Sequence, residues 1–415
     1  MPPAYEHAPV VDVSTFADWE EFTRWYWNLI RRQYEVSPAL SAKVAELTSG
    51  LKSESEKIRV IYDFVTGEVR YEAWEFGVHG FKPYNASTIF QRRFGDCKDK
   101  ATLLCTMLGV AGIEAHPVLI HATQSRGAED LSIPLVSHFN HCIAYVPAAN
   151  GRVEQFLDGT ADRNASHELP AMDRGARVLV VKPPRGAVQS IPWNSTTELS
   201  MEEEIQAVLE PSGAAILDVR GQARGDFAAS LRSLFEVSGR RKVELEKIYG
   251  ARFQGASVES EEFSDLLDRA KPVDFRFRLR VPQLVAKSPE GEALPVIDDL
   301  FGSLEDFGAF GTLEERKHDL LLGNPRRHAL TATFRLPAGF RVAALPPERS
   351  FSRKAGRLSV RYESKQSPDG AVVTMRREME TTEPRVVRAD YGEFRDLASG
   401  AARLRDDKVL IERSK

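Results

Sequence analysis

Apolar residues recur at helical spacing early in the chain. Over 16–36, Trp19, Phe22, Trp25, Tyr26, Leu29 and Ile30 fall on one face, which predicts a helix docked on a core. Ser37-Pro38 opens a second helix in N-cap and first-turn positions. A third is predicted over 53–66, where Ser53 and Glu56 have capping-box spacing. A fourth covers 86–94, and a fifth starts near residue 97 with Ala101, Leu104, Cys105 and Leu108 on its apolar face. Short runs rich in β-branched and aromatic residues predict strands at 69–73, 118–121, 143–146, 153–157 and 178–181. Helices first and an antiparallel sheet after is an α+β pattern.

Beyond residue 190 the period shifts toward two. Residues 204–210 and 214–221 flank the turn Pro211-Ser212-Gly213 and predict a hairpin. An amphipathic helical pair is expected near 226–250 and 260–270. Residues 274–281 then alternate, with Phe275, Phe277, Leu279 and Val281 opposite Arg276, Arg278 and Arg280, and the arginine stripe is the solvated face of a sheet. Further strands at 329–336, 357–362, 371–378 and 408–411, with a helix over 384–402, predict a β-sandwich with a helical insertion. The Pro-rich stretches 182–186 and 191–197 suggest a linker. Two domains are therefore expected, 1–190 with a helical arm to about residue 50, and 200–415.

Composition narrows the classes. The 415 residues carry a net charge of −4 with no basic block, which argues against a nucleic-acid surface. No apolar run approaches a membrane span. The N-terminus lacks a basic and apolar leader, so the literal expectation is a cytoplasmic protein, and a removed leader would make it periplasmic or exported. Three cysteines are too few for a disulfide framework.

One of those cysteines stands apart. Cys97 lies in Phe94-Gly95-Asp96-Cys97-Lys98-Asp99-Lys100, among charges, where a glycine turn hands over to a helix. Free N–H groups, the helix dipole and nearby lysines favour a thiolate at such a position. An exposed, reactive thiol is expected there. A nucleophilic cysteine needs a base, and the base needs an orienting group. Phe139-Asn140-His141 runs into the strand at 143–146, and the strand at 153–157 ends in Asp158-Gly159-Thr160. Asn150-Gly151 between them is a strong hairpin signal. With those two at the turn, Ala149 faces Arg152, Ile143 faces Asp158 and His141 faces Thr160. His141 and Asp158 are then diagonal neighbours on one sheet face, roughly 7–8 Å apart at Cβ. His138 and Asp162 are weaker alternatives, the first lying before the strand and the second in the loop after it. Cys97, Cys105, His116 and His141 lack zinc-ligand spacing. His79, in the glycine-bounded loop 76–80, is expected at the surface, and Gly77, Gly80 and Pro83 make that loop a candidate substrate rim.

Gly-Asp-Cys-Lys-Asp-Lys, Phe-Asn-His and Leu-Asp-Gly-Thr, with Val69-Arg70-Tyr71 before the cysteine and Ala111-Gly112-Ile113 after its helix, resemble the bacterial transglutaminase-like proteins of the papain-like Cys-His-Asp superfamily. The resemblance spans about 19–181. It implies a transglutaminase-like core followed by a sandwich. It also implies a thiol enzyme in which Cys97 is the nucleophile, His141 the acid/base and Asp158 the orienter. The oxyanion would be met by the Cys97 backbone N–H and a second donor, Trp74 or Gln91. Such chemistry requires no metal or organic cofactor. The implied substrate is a peptide or protein, with hydrolysis favoured over amine cross-linking because the 73–84 rim mixes Trp74, Phe76 and Phe81 with Glu75, His79 and Lys82. The competing class is an inactive peptide- or glycan-binding protein on the same fold.

Overall fold

The computed structural model describes residues 2–289 and 291–413. They form two compact units, Pro2–Trp193 and one beginning at Asn194.

In the first unit Asp18 caps helix α1 (Trp19–Ile30) by accepting from the Glu21 N–H at 2.8 Å. The helix is shorter than its apolar pattern, because the chain tightens into a 3₁₀ turn over Arg31–Tyr34. Ser37 caps α2 (Pro38–Thr48), and Ser53 with Glu56 forms the expected capping box of α3 (Glu54–Glu68). Strand β1 (Arg70–Tyr71) pairs in parallel with β2 (Phe94–Gly95) across α4 (Ala86–Arg92). Helix α5 (Cys97–Val110) follows directly. Strands β3 (His116–Ile120), β4 (His141–Val146), β5 (Gln155–Leu157), β6 (Arg177–Val180) and β7 (Ala187–Ser190) make an antiparallel sheet in the order β5-β4-β3-β6-β7. Strand β7 lies between the two stretches expected to be linker. Its pairing with β6 and the burial of Ile191 keep that region within the first unit.

Helix α5 is the central element. It is buried from Cys97 to Leu108, charged first turn included, so its amphipathic reading was too narrow. Leu103, Leu104, Met107 and Leu108 pack with α2, α3, α4 and, from the sheet, Ala144, Val146 and Leu157. Phe22, Tyr26 and Ile30 of α1 pack against Cys97, Ala101, Leu119 and Cys142. Leu104 has no exposed surface, so Leu104→Ala is expected to cost about 2–5 kcal/mol. Chemical denaturation checks this, and a loss within error would remove α5 from the core.

The second unit contains an eight-stranded mixed sheet and a four-stranded antiparallel sheet sharing one apolar core, with helices Asp226–Phe235 and Arg241–Arg252 inserted between strands. One expectation is corrected: residues 260–270 are not helical, because Ser257–Phe263 pairs with Val273–Val281 as an edge strand. Within the large sheet Ser200–Leu209 and Arg326–Leu336 run parallel. The arginine stripe is exposed as expected, and Arg278 pairs with Asp218 at 2.8 Å.

Candidate active site

Cys97 is the first residue of α5, and the local sequence puts it there by capping. Asp96 accepts from the Asp99 N–H at 3.1 Å, and Asp99 accepts in return from the Asp96 N–H at 3.4 Å. Gly95 is required by that box: a Cβ there would lie 2.6 Å from Asp99 Cβ. Asp99 also accepts from the Tyr84 N–H at 2.8 Å and from Arg92 at 2.6 Å, which ties the end of the 73–84 loop to the helix carrying the cysteine. The expectation of an exposed thiol is wrong. Cys97 is only 8% exposed, because α1 packs over it. The flanking charges are also buried, and their lysines are engaged. Lys98 pairs with Asp96 and, at 3.4 Å, with Glu75, while Lys100 donates to the Val69 carbonyl at 2.6 Å.

His141 is the first residue of β4. Asn140 fixes that entry: its N–H donates to Ile120 O at 3.1 Å, and its amide bonds Ala122 N–H and C=O at 2.8 and 3.1 Å. Asn150 and Gly151 take positive φ values of 51° and 80°, as the tight hairpin turn requires. Ala149 pairs with Arg152 and Ala144 with Leu157, the register expected from the sequence. The chain thus brings Asp158, just past β5, to His141, with Nε2 and Oδ2 3.2 Å apart. The other oxygen of Asp158 accepts from the Thr160 N–H at 2.8 Å and hydroxyl at 2.7 Å. Nδ1 of His141 is left on the side of Cys97, which lines the same cavity and acts electrostatically on the ring.

Burial opposes the imidazolium, but the Asp158 carboxylate and Cys97 outweigh it and push His141 up to about 11. Burial likewise opposes the Asp158 carboxylate, and the His141 charge with the Thr160 bonds holds it below the usual range. A raised histidine contributes stability that is present below its unfolded value of about 6.5 and is lost as pH rises through its folded value. The parent is therefore expected to lose more stability between neutral pH and pH 11 than His141→Gln. Parallel pH-dependent melts check this, and equal slopes would rule out the imidazolium–carboxylate pair.

Cys97 and His141 open into a cavity of about 330 Å³, lined also by Phe22, Trp25, Tyr26, Glu75, Lys98 and Phe139. The aromatic face of α1, expected to be core only, therefore supplies a cavity wall. Tyr26 is the residue sequence reasoning missed here, because nothing in a helical stripe distinguishes wall from core. Gly80 and Phe81 of the expected rim line the cavity, whereas Trp74 is exposed and meets Phe94 at a tilt, and Gln91 is exposed on α4. Neither Trp74 nor Gln91 is among the lining residues. His79 lies flat on Tyr84, centroids 3.8 Å apart. His138 bonds the Ile133 carbonyl at 2.9 Å, and Asp162 is exposed in its loop, so neither alternative joins the cluster. Asp173 does join it without any sequence signal. Its carboxyl lies within 4.8 Å of the facing atoms of His141 and Asp158. Nε2 of His141 already meets Asp158 at 3.2 Å, so that ring nitrogen is engaged within the group.

Comparison with known proteins bears on the fold. Residues 41–148 match the transglutaminase-like superfamily. Residues 300–411 match a domain of unknown function with a solved structure, DUF3858. No curated protein matches the chain. A solved structure from Parabacteroides distasonis, titled a "putative protease", is similar over 96% of this chain at 14% identity and a TM-score of 0.58. This chain spans 59% of that one. No helix among the described residues is long and apolar enough to cross a membrane. The first unit is thus built on a transglutaminase-like core, followed in the chain by a sheet-rich C-terminal region.

Proposed function

We propose that this protein is a thiol enzyme that cleaves amide bonds of a peptide or protein through a thioester on Cys97. The observation that carries the reading is that Cys97, at the start of a helix, and His141, paired with the buried Asp158, line one cavity. The Cys97 thiolate attacks the amide carbonyl carbon. The developing oxyanion is met by the free N–H at the start of α5 and by the Tyr26 hydroxyl, which replaces Trp74 and Gln91 as the second donor. The C–N bond breaks as the His141 imidazolium gives its proton to the leaving amine, leaving the thioester and neutral imidazole. Water then gives a proton to His141, its oxygen attacks the thioester carbon, and the C–S bond breaks to restore the thiolate–imidazolium pair.

Hydrolysis is favoured over amine transfer because the cavity is not a dry channel. Glu75, Lys98, Asn140 and His141 line it beside the aromatic rings, so water has polar partners along the approach. The Parabacteroides structure, titled a "putative protease", points to the same choice of acceptor. Incubation with a peptide library and a labelled primary amine tests the proposal. Cleaved peptides dependent on Cys97 are expected, with little amine incorporated. Amine incorporation exceeding hydrolysis would overturn the acceptor assignment. No product from a protein whose Cys97 still alkylates would favour the peptide- or glycan-binding reading.

A further inference from the structure

Asp173 is an acid that the chemistry above does not use. It lies in the segment after β5, is fully buried, and neither carboxyl oxygen meets a hydrogen-bond donor among the described residues. Its placement is deliberate. Arg126 donates to the carbonyls on both sides, Met172 O at 2.5 Å and Arg174 O at 2.7 Å, and spends its remaining contact on Glu129. Arg126 therefore clamps the backbone of 172–174 and donates nothing to the Asp173 carboxyl. What that carboxyl faces is Asp158 and His141, with reacting atoms within 4.8 Å of one another.

Two carboxylates at that distance with no water-accessible surface would repel, and one imidazolium balances only one of them. A single proton on Asp173 resolves both problems. The buried charges then cancel, and the orphaned acid becomes a donor. Asp158 has room to accept it: Oδ1 takes two bonds from Thr160, while Oδ2 takes one from His141.

We propose that Asp173 is a positioning residue of this site, a neutral carboxylic acid whose O–H donates to Asp158 and holds it against His141. The inference rests on the proposed role of Cys97 and His141 for its kinetic consequence, but not for the protonation state. Burial and the Asp158 charge raise Asp173 well above the ordinary carboxyl range, against the smaller opposing effects of His141 and Arg126. These three are the charged groups that bear on it, with Arg126 itself paired to Glu129.

Asp173→Asn keeps a donor of the same shape, and Asp173→Ala removes it. An infrared difference spectrum of parent minus Asp173→Asn near neutral pH is expected to show the C=O stretch of a protonated carboxylic acid. Iodoacetamide is expected to alkylate Cys97 of Asp173→Asn at close to the parental rate and with the parental pH profile. It should alkylate Asp173→Ala about tenfold or more slowly, the loss of a hydrogen bond to a charged group. Absence of the carboxylic acid band would overturn the proposal even if Asp173→Ala fails to fold. So would an Asp173→Asn protein as slow as Asp173→Ala, or one zinc ion bound per parental chain and lost in Asp173→Asn. A parent that shows the band but whose Cys97 does not alkylate would sink the enzymatic reading and leave the protonated Asp173 standing.

Discussion

His141→Ala is expected to lower peptide turnover by roughly 10²–10⁴-fold, the usual worth of a positioned acid/base, and Cys97→Ala to abolish it. Alkylation provides the substrate-independent version of the same test. Cys97 should react far faster than Cys105 or Cys142, although all three are buried. Burial pushes the Cys105 and Cys142 thiols up, and Cys142 is raised further by the neighbouring Cys97. Both therefore stay protonated and unreactive near neutral pH. Of the three, Cys97 is the one whose charge acts on the His141 ring beside it in the cavity. Mass mapping after a short pulse of iodoacetamide decides the matter. Equal labelling of the three, or an unchanged Cys97 rate in His141→Ala, would end the nucleophile assignment. Tyr26→Phe separates the roles further: it should leave alkylation nearly intact and lower turnover, because an oxyanion donor acts only when a tetrahedral intermediate forms.

Asp158→Ala is expected to destabilise the protein by about 3–5 kcal/mol, the cost of leaving a buried charge without its partner. Asp158 is fully buried and holds both His141 and the Thr160 turn, so the variant strands an imidazolium and two donors at once. The loss should shrink as pH approaches 11, where His141 becomes neutral in the parent as well. Denaturant unfolding at several pH values measures it. A loss that is the same at neutral and alkaline pH would show that Asp158 stabilises through Thr160 rather than through His141. Turnover should fall with it, since a ring without its partner is no longer oriented toward the thiol and the leaving amine.

Much of this site was legible in the chain because its placement is local. Gly95 and the charged run before the apolar face mark a helix start at Cys97, and a helix start is decided by a few consecutive residues. Asn150-Gly151 sets the hairpin register, since both positions take positive φ, and with period-two strands that register brings Asp158 to His141. Ser53 with Glu56, and Ser37 with Pro38, mark their helices for the same reason. The segment 260–270 was misread because a short apolar-polar run fits a helix and an edge strand alike until a neighbour supplies its hydrogen bonds.

What the sequence by itself determined, then, is the helix-start cysteine, the hairpin that pairs histidine with aspartate, and the succession of helices and strands that makes the first unit α+β. Each follows from interactions among residues close along the chain. Only the tertiary structure decided that the charged run around Cys97 is buried, because α1 covers Cys97 itself and Val69, Tyr84 and Arg92 take up Lys100 and Asp99. Only it turned Tyr26 and Trp25 from core residues into a cavity wall. And only it delivered Asp173 to Asp158, since Arg126 clamps a loop whose own residues carry no periodicity and no motif. Burial and long-range contact have no local signature in a single chain, and they govern charge, access and protonation at this site.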